Sequence, residues 1–109
     1  MVEIINKEVK LFHDSNGKAP FVNWLEKLDN ITRRIIENRM TRLSFGNYGD
    51  YKTISQDIFE LRFHIGSGYR VYFAEDGDAI VILLLGGDKK TQKRDIEKAK
   101  EYYDKYKRQ

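Results

Sequence analysis

From Ile58 to Phe73 the chain alternates apolar and polar side chains on both sides of a short connection, Gly66-Ser67-Gly68. That period of two fits strands, whose successive side chains point to opposite faces, and excludes a helix across this stretch. Phe59, Leu61, Phe63 and Ile65 share one face of the first strand with Tyr69, Val71 and Phe73 of the second. The other face collects Glu60, Arg62, His64, Arg70 and Tyr72: an acid, two guanidinium groups, an imidazole and a phenol. The greasy face needs a cover, and the polar face is expected to stay open.

The rest of the chain supplies that cover. Val9 and Leu11 alternate within Glu3 to Phe12, which reads as a first strand. Asp14-Ser15-Asn16-Gly17 is a turn by composition. Pro20 suits the first turn of a helix, where its missing N–H is not needed. Phe21, Trp24, Leu25 and Leu28 follow at helical spacing. After Asp29-Asn30 a second helix places Ile31, Ile35, Ile36, Met40 and Leu43 on one side, so the two helices are expected to form a hairpin with one apolar seam. Tyr51 to Ser55 reads as a strand, and Asp76-Gly77 is a hairpin signal. Ala79 to Leu85 is apolar throughout, as a strand buried on both faces should be, with Gly86-Gly87 breaking it. A basic helix closes the chain from about Thr91 to Lys107. The expected order is β-α-α-β-β-β-β-α. The expected class is α+β: an antiparallel meander covered on one face by the N-terminal helical hairpin, with a C-terminal basic helix.

Composition narrows the function. One domain of 109 residues has room for one modest core. Its longest apolar run is far too short to span a bilayer, and Met1-Val2-Glu3-Ile4-Ile5-Asn6 lacks the order of a secretory signal, so a cytoplasmic protein is expected. With no cysteine there is no disulfide and no thiolate metal site, and two histidines are too few for a zinc site. Gly86-Gly87-Asp88-Lys89-Lys90 lacks the spacing of a nucleotide-binding loop. Ser67 stands near His64 without a third member for a hydrolase triad. From Asp88 onward nine Lys/Arg face five Asp/Glu, whereas residues 1–87 hold eleven against twelve. The whole positive excess therefore sits in the last fifth of the chain, where it either attracts a polyanion or simply solvates a helix face.

The polar strand face has the inventory for RNA. Cutting RNA internally requires a group to deprotonate the 2′-OH, charge to stabilise the phosphorane, and a proton for the leaving oxygen. Arg70, and beside it Arg62, suit the phosphate, because a guanidinium stays charged and forks onto oxygens. The alternative for Arg70 is a surface arginine paired with Glu60. Glu60 is a base or a salt-bridge partner, and His64 an acid, a base or a structural residue, since imidazole exchanges protons near neutral pH. Lys52, Lys89 and Lys90 are placed to grip a phosphate backbone or to solubilise the surface, and Tyr72 to stack on a base or pack at the sheet edge.

Five segments carry a family resemblance: Phe21-Val22-x-Trp24-Leu25-x-x-Leu28, Gly46-Asn47-x-Gly49-Asp50-x-Lys52, Glu60-Leu61-Arg62, Gly68-Tyr69-Arg70-Val71-Tyr72-Phe73, and Leu83-Leu84-Leu85-Gly86-Gly87-Asp88-Lys89-Lys90-x-Gln92-x-x-Asp95-Ile96. Together they resemble the addiction-module killer proteins of the RelE/ParE toxin superfamily, close to its HigB-like branch. The resemblance implies a single RelE-like domain over residues 1–109, the toxin of a type II toxin–antitoxin system, paired with a helix-turn-helix antitoxin. It implies a ribosome-dependent endoribonuclease that cuts mRNA without metal or cofactor, leaves a 2′,3′-cyclic phosphate and stops translation. Arg70 matches that family's catalytic arginine, and Lys89 and Lys90 lie near the place of another functional arginine. The chain departs from the pattern at Glu60, where relatives favour lysine; Asp50 or Glu60 then becomes the candidate base, with His64 or Lys52 opposite. Two other readings share the scaffold: a non-enzymatic ParE-like poison of DNA gyrase, and an inactive remnant that only binds its antitoxin.

Overall fold

Eight elements follow one another in a computed structural model that describes residues 6–109: β1 (Glu8–Leu11), α1 (Pro20–Glu26), α2 (Asn30–Ser44), β2 (Tyr51–Thr53), β3 (Ile58–Arg62), β4 (Arg70–Asp76), β5 (Ile80–Gly87) and α3 (Gln92–Arg108). Element types and order match the sequence reading, and the protein is α+β. The part of the first strand expected before Asn6 lies outside the described residues.

The strands form one sheet in the order β1-β5-β4-β3-β2. β2 to β5 are an antiparallel meander, but β1 runs parallel to β5, with Glu8 opposite Ile80 and Leu11 opposite Leu83. The sheet is therefore mixed rather than purely antiparallel. Helices α1 and α2 carry the chain from one edge of the sheet to the other, and the meander then returns towards β1. β5 is apolar on both faces and takes a partner on each side, as an interior strand must.

Each face of the sheet has its own core. On one side Phe21 of α1 and Ile36 and Leu43 of α2 pack against Leu61, Phe63, Val71, Phe73, Val81 and Leu83. The apolar seam expected between the two helices is in fact a surface of each helix turned to the sheet. Ile36 and Leu43 serve it, while Ile31 and Ile35, expected in the seam, face solvent. α2 starts on Asp29, whose carboxylate accepts from the Thr32 N–H and is held below the ordinary carboxylate range by the Thr32 contacts.

The second face corrects the expectation of an open surface. Ala99 and Tyr103 of α3, with Ile96, Tyr102 and Tyr106 beside them, cover Ile58, Tyr72, Ala74, Ile82 and Leu84. Along most of its length this face is apolar, and an uncovered apolar face would expose the core to water. Only its Arg62–Arg70 end is polar.

A bulge in β5 sets up that end. Tyr72 pairs with Leu85 and Phe73 with Leu83, leaving Leu84 as an extra residue. Leu84 and Leu85 both join the α3 core, and the alternation beyond them is inverted. Gly86 then faces Trp24 of α1, and Gly87 faces Thr91 and Asp95 at the start of α3. The two glycines expected to end the strand lie inside it, at positions where helices come against the backbone.

Candidate functional site

Register places the chemistry-bearing residues in two rows on the α3 face of the sheet. Lys52, Glu60 and Tyr72 lie directly across from one another on β2, β3 and β4. In the next row Arg62 of β3 pairs with Arg70 of β4, opposite Gly87 of β5. The cross-strand relation puts both guanidinium groups on the same side.

Glu60 is the hub. Its carboxylate is fully buried, 0% exposed, and both oxygens are engaged. Arg62 Nε donates to Oε1 at 3.0 Å, with Arg70 Nε 3.8 Å from the same oxygen. Gln92 Nε2, from the first turn of α3, donates to Oε2 at 2.8 Å. Burial pushes the Glu60 carboxyl up, but the hydrogen bonds from Gln92 and Arg62 and the charge of Arg70 outweigh it and hold the group below its ordinary value. Glu60 is thus an ionised counter-ion that aims two arginines, with no free oxygen pointing outward for a substrate proton.

The two arginines differ. The Arg62 side chain is 32% exposed and Arg70 only 12%. Arg70 Nη1 donates to the Gly68 carbonyl at 2.6 Å, which folds the loop back over the guanidinium, and its buried Nε makes no hydrogen bond among the described residues. Tyr72, expected to offer a face to a base, is packed completely in the core. Its ring has no access to a nucleotide, and burial together with the Glu60 charge raises its phenol above the ordinary value.

The rim comes from the connection before α3. Asp88 Oδ1 accepts from the N–H groups of Lys90 and Thr91, which ties the turn into the helix start. Thr91 Oγ1 donates to the buried carboxylate of Asp95. Lys89 and Lys90 are exposed on this turn, and the Lys89 N–H reaches the Ser67 carbonyl of the β3–β4 loop at 3.4 Å. Lys52 is exposed at the opposite border. The arrangement is a cationic surface around two arginines that share one buried carboxylate, suited to a polyanion.

Residues 23–104 match the family described as Phage derived protein Gp49-like. The chain belongs to the Gp49-like family. This is a family of the RelE or addiction-module toxin type. The match takes in both arginines, Glu60, Gln92 and the lysine rim. Among its relatives is a Haemophilus influenzae protein recorded as "Uncharacterized protein", 51% identical over 81 residues that make up 73% of this chain and 82% of that one.

His64 lies apart from the buried hub of this Gp49-like site. It is highly exposed beyond the end of β3, and its Nε2 is hydrogen-bonded to the Asp50 carboxylate. Sequence reading named both residues but missed what brings them together. Arg39 of α2 donates to three backbone carbonyls, those of Arg62 at 3.3 Å and of Tyr48 and Asp50 at 3.1 Å each. Its guanidinium also lies over the Phe63 ring, 4.7 Å from the centroid. The same group fills the space beside Gly49, which has φ +70° and could take a side chain only with strain. An arginine among the polar residues of an amphipathic helix gave no signal of this role. Replacing Arg39 with Met leaves the three carbonyls without that donor, and each such loss is worth about 1 kcal/mol. Expected results are faster amide exchange across residues 47–50 and loss of the His64–Asp50 contact by NMR, with the β4–β5 amides still protected. Gln92 also escaped sequence reading as a site residue, although it stands in the Gly-Gly-Asp-Lys-Lys-x-Gln segment.

Proposed function

We propose that this chain is the toxin of a type II toxin–antitoxin pair, of the HigB-like branch, and that it acts in the cytoplasm by cutting ribosome-bound mRNA. The observation that carries this reading is the cross-strand Arg62–Arg70 pair, held over one ionised buried carboxylate and bordered by exposed Lys52, Lys89 and Lys90. A centre with two guanidiniums and one carboxylate keeps a net positive charge, which a phosphodiester neutralises.

In this mechanism the exposed Arg62 takes a non-bridging phosphate oxygen first. Arg70 joins when the substrate displaces its Gly68 contact. The 2′-oxygen attacks phosphorus, the bond from phosphorus to the 5′-oxygen breaks, and a 2′,3′-cyclic phosphate and a 5′-hydroxyl result. Both arginines stabilise the charge that builds on the phosphorane. His64, its ring oriented by Asp50, takes the 2′-hydroxyl proton, Lys52 gives a proton to the departing 5′-oxygen, and Lys89 and Lys90 track the backbone. Glu60 positions the arginines and takes no proton.

Controlled expression in bacteria, with labelled precursors and mapping of mRNA 5′ ends, tests the reading. Protein synthesis should stop first, with new 5′ ends inside translated frames. Arg70→Ala should keep its fold and lose about 100-fold or more in cleavage. A well-folded Arg70→Ala protein of full toxicity would reject the assignment, as would DNA synthesis failing first, which is the gyrase-poison outcome.

A further inference from the structure

Helix α2 carries a second stripe, opposite the one that meets the sheet. Ile31, Arg34, Ile35, Asn38 and Arg42 stand at helix positions i, i+3, i+4, i+7 and i+11, Phe45 at the C-cap continues the line, and all six are exposed. Ile31 is 76% exposed, Phe45 62% and Ile35 39%. Asn30, Ile31, Arg34, Ile35 and Asn38 line a shallow groove along it. Three large apolar residues on one outward helical line form a patch that water disfavours and a partner can cover. The stripe runs about 21 Å at 1.5 Å per residue, the span of a four-turn helix.

Charge decides the occupant. The stripe holds two arginines and no acid, since Glu37 falls to one side of it. A second copy of this chain pairing through the same stripe would bring arginines against arginines. A nucleic acid would satisfy the arginines but not Ile31 and Phe45. An amphipathic helix with apolar residues in the groove and Asp or Glu along its flank answers both features. We propose that the outward face of α2 is the docking surface for an acidic amphipathic helix of the cognate antitoxin. That the partner is an antitoxin rests on the toxin–antitoxin reading; its acidic, helical chemistry rests on α2 alone. The site is on the sheet face opposite the one covered by α3, so the docked helix need not touch Arg62 or Arg70.

The test uses the full chain and the purified product of the reading frame beside it, with affinity measured by calorimetry. Ile31→Asp combined with Ile35→Asp should lower affinity about 100-fold. Both positions are solvent-facing, so the circular dichroism spectrum and melting temperature should stay at wild-type values. Arg34→Glu combined with Arg42→Glu should also weaken binding and flatten its salt dependence. In cells the isoleucine variant should still arrest growth and escape neutralisation by the co-expressed partner. Unchanged affinity in both variants overturns the proposal. So does failure of the wild-type chain to bind a neighbouring product, or a wild-type dimer that the isoleucine variant converts to monomer. Arg70→Ala separates the two ideas: if it stays toxic the nuclease reading fails, while the affinities still judge the α2 surface.

Discussion

Glu60→Leu is expected to lower stability by about 3–5 kcal/mol, read as a lower urea midpoint at unchanged slope. The leucine fits a strand, so backbone propensity is not the cause. The cost comes from what the carboxylate leaves behind. Arg70, only 12% exposed, keeps its charge without the anion 3.8 Å away. The Gln92 amide, which donates at 2.8 Å, loses its acceptor where α3 meets the sheet. A buried charge stripped of its partner costs far more than the intact pair contributes. Glu60→Gln keeps the shape and an acceptor oxygen, so its loss should be smaller. The pH dependence has a definite sign. The folded pKa lies below the unfolded value near 4.5, so the unfolded chain binds the proton more readily. This stabilisation is present in full above that unfolded value and is lost as pH falls through the folded one. The wild type should therefore lose a component of stability on acidification that the Gln variant lacks.

The parts of this fold that could be read from the chain are those set by neighbours in sequence. The β3–β4 alternation is local, so it placed Phe59, Leu61, Val71 and Phe73 on one face and Glu60, Arg62, Arg70 and Tyr72 on the other, as found. Pro20 marked the first turn of α1, and Asp29-Asn30 the start of α2, for reasons of capping chemistry within one turn. The parallel pairing of β1 with β5 joins segments about seventy residues apart, and no local period encodes it. The covering of the second face by α3 was legible in principle, because Ile58, Ala74, Ile82 and Leu84 share that face with Glu60. Tyr72 alternates with the same period as charged Glu60, Arg62 and Arg70, a pattern that does not tell a surface ring from the core ring it is. In the site, residue types pointed to Arg62 and Arg70. They could not show that Glu60 is sealed, nor that Arg39 reaches from α2 to the Tyr48 and Asp50 carbonyls ahead of β2. Those depend on tertiary approach, and an arginine has the same pattern on a helix whether it reaches water or a carbonyl.

Gly86→Ala should cost about 3 kcal/mol, and the reason is space alone. Gly86 sits in ordinary strand backbone that alanine adopts without strain. A Cβ there would lie 2.1 Å from Trp24 Cε3 and 2.4 Å from two more atoms of the indole. The ring cannot slide away freely, because it packs edge-on to Tyr69 and beside Phe21. Either α1 lifts from β5 or the strand bends outward. Gly87→Ala acts on the other face, with a Cβ 1.9 Å from the Asp95 carboxylate and 2.8 Å from Thr91 Oγ1. It displaces the first turn of α3, which carries Gln92, and so should disturb the Glu60–arginine centre as well as the fold. A paired change separates packing from backbone. Trp24→Leu frees the volume above Gly86, so Gly86→Ala should cost much less in that background than in the wild type. The coupling between the two changes, read from four urea curves, measures the clash directly. Additive losses would mean that the glycine is needed for its backbone and that the indole contact is incidental. Coupling close to the full single-variant cost would mean that the bulge at Leu84–Leu85 works, on the α1 face, by bringing a residue without a side chain under the indole.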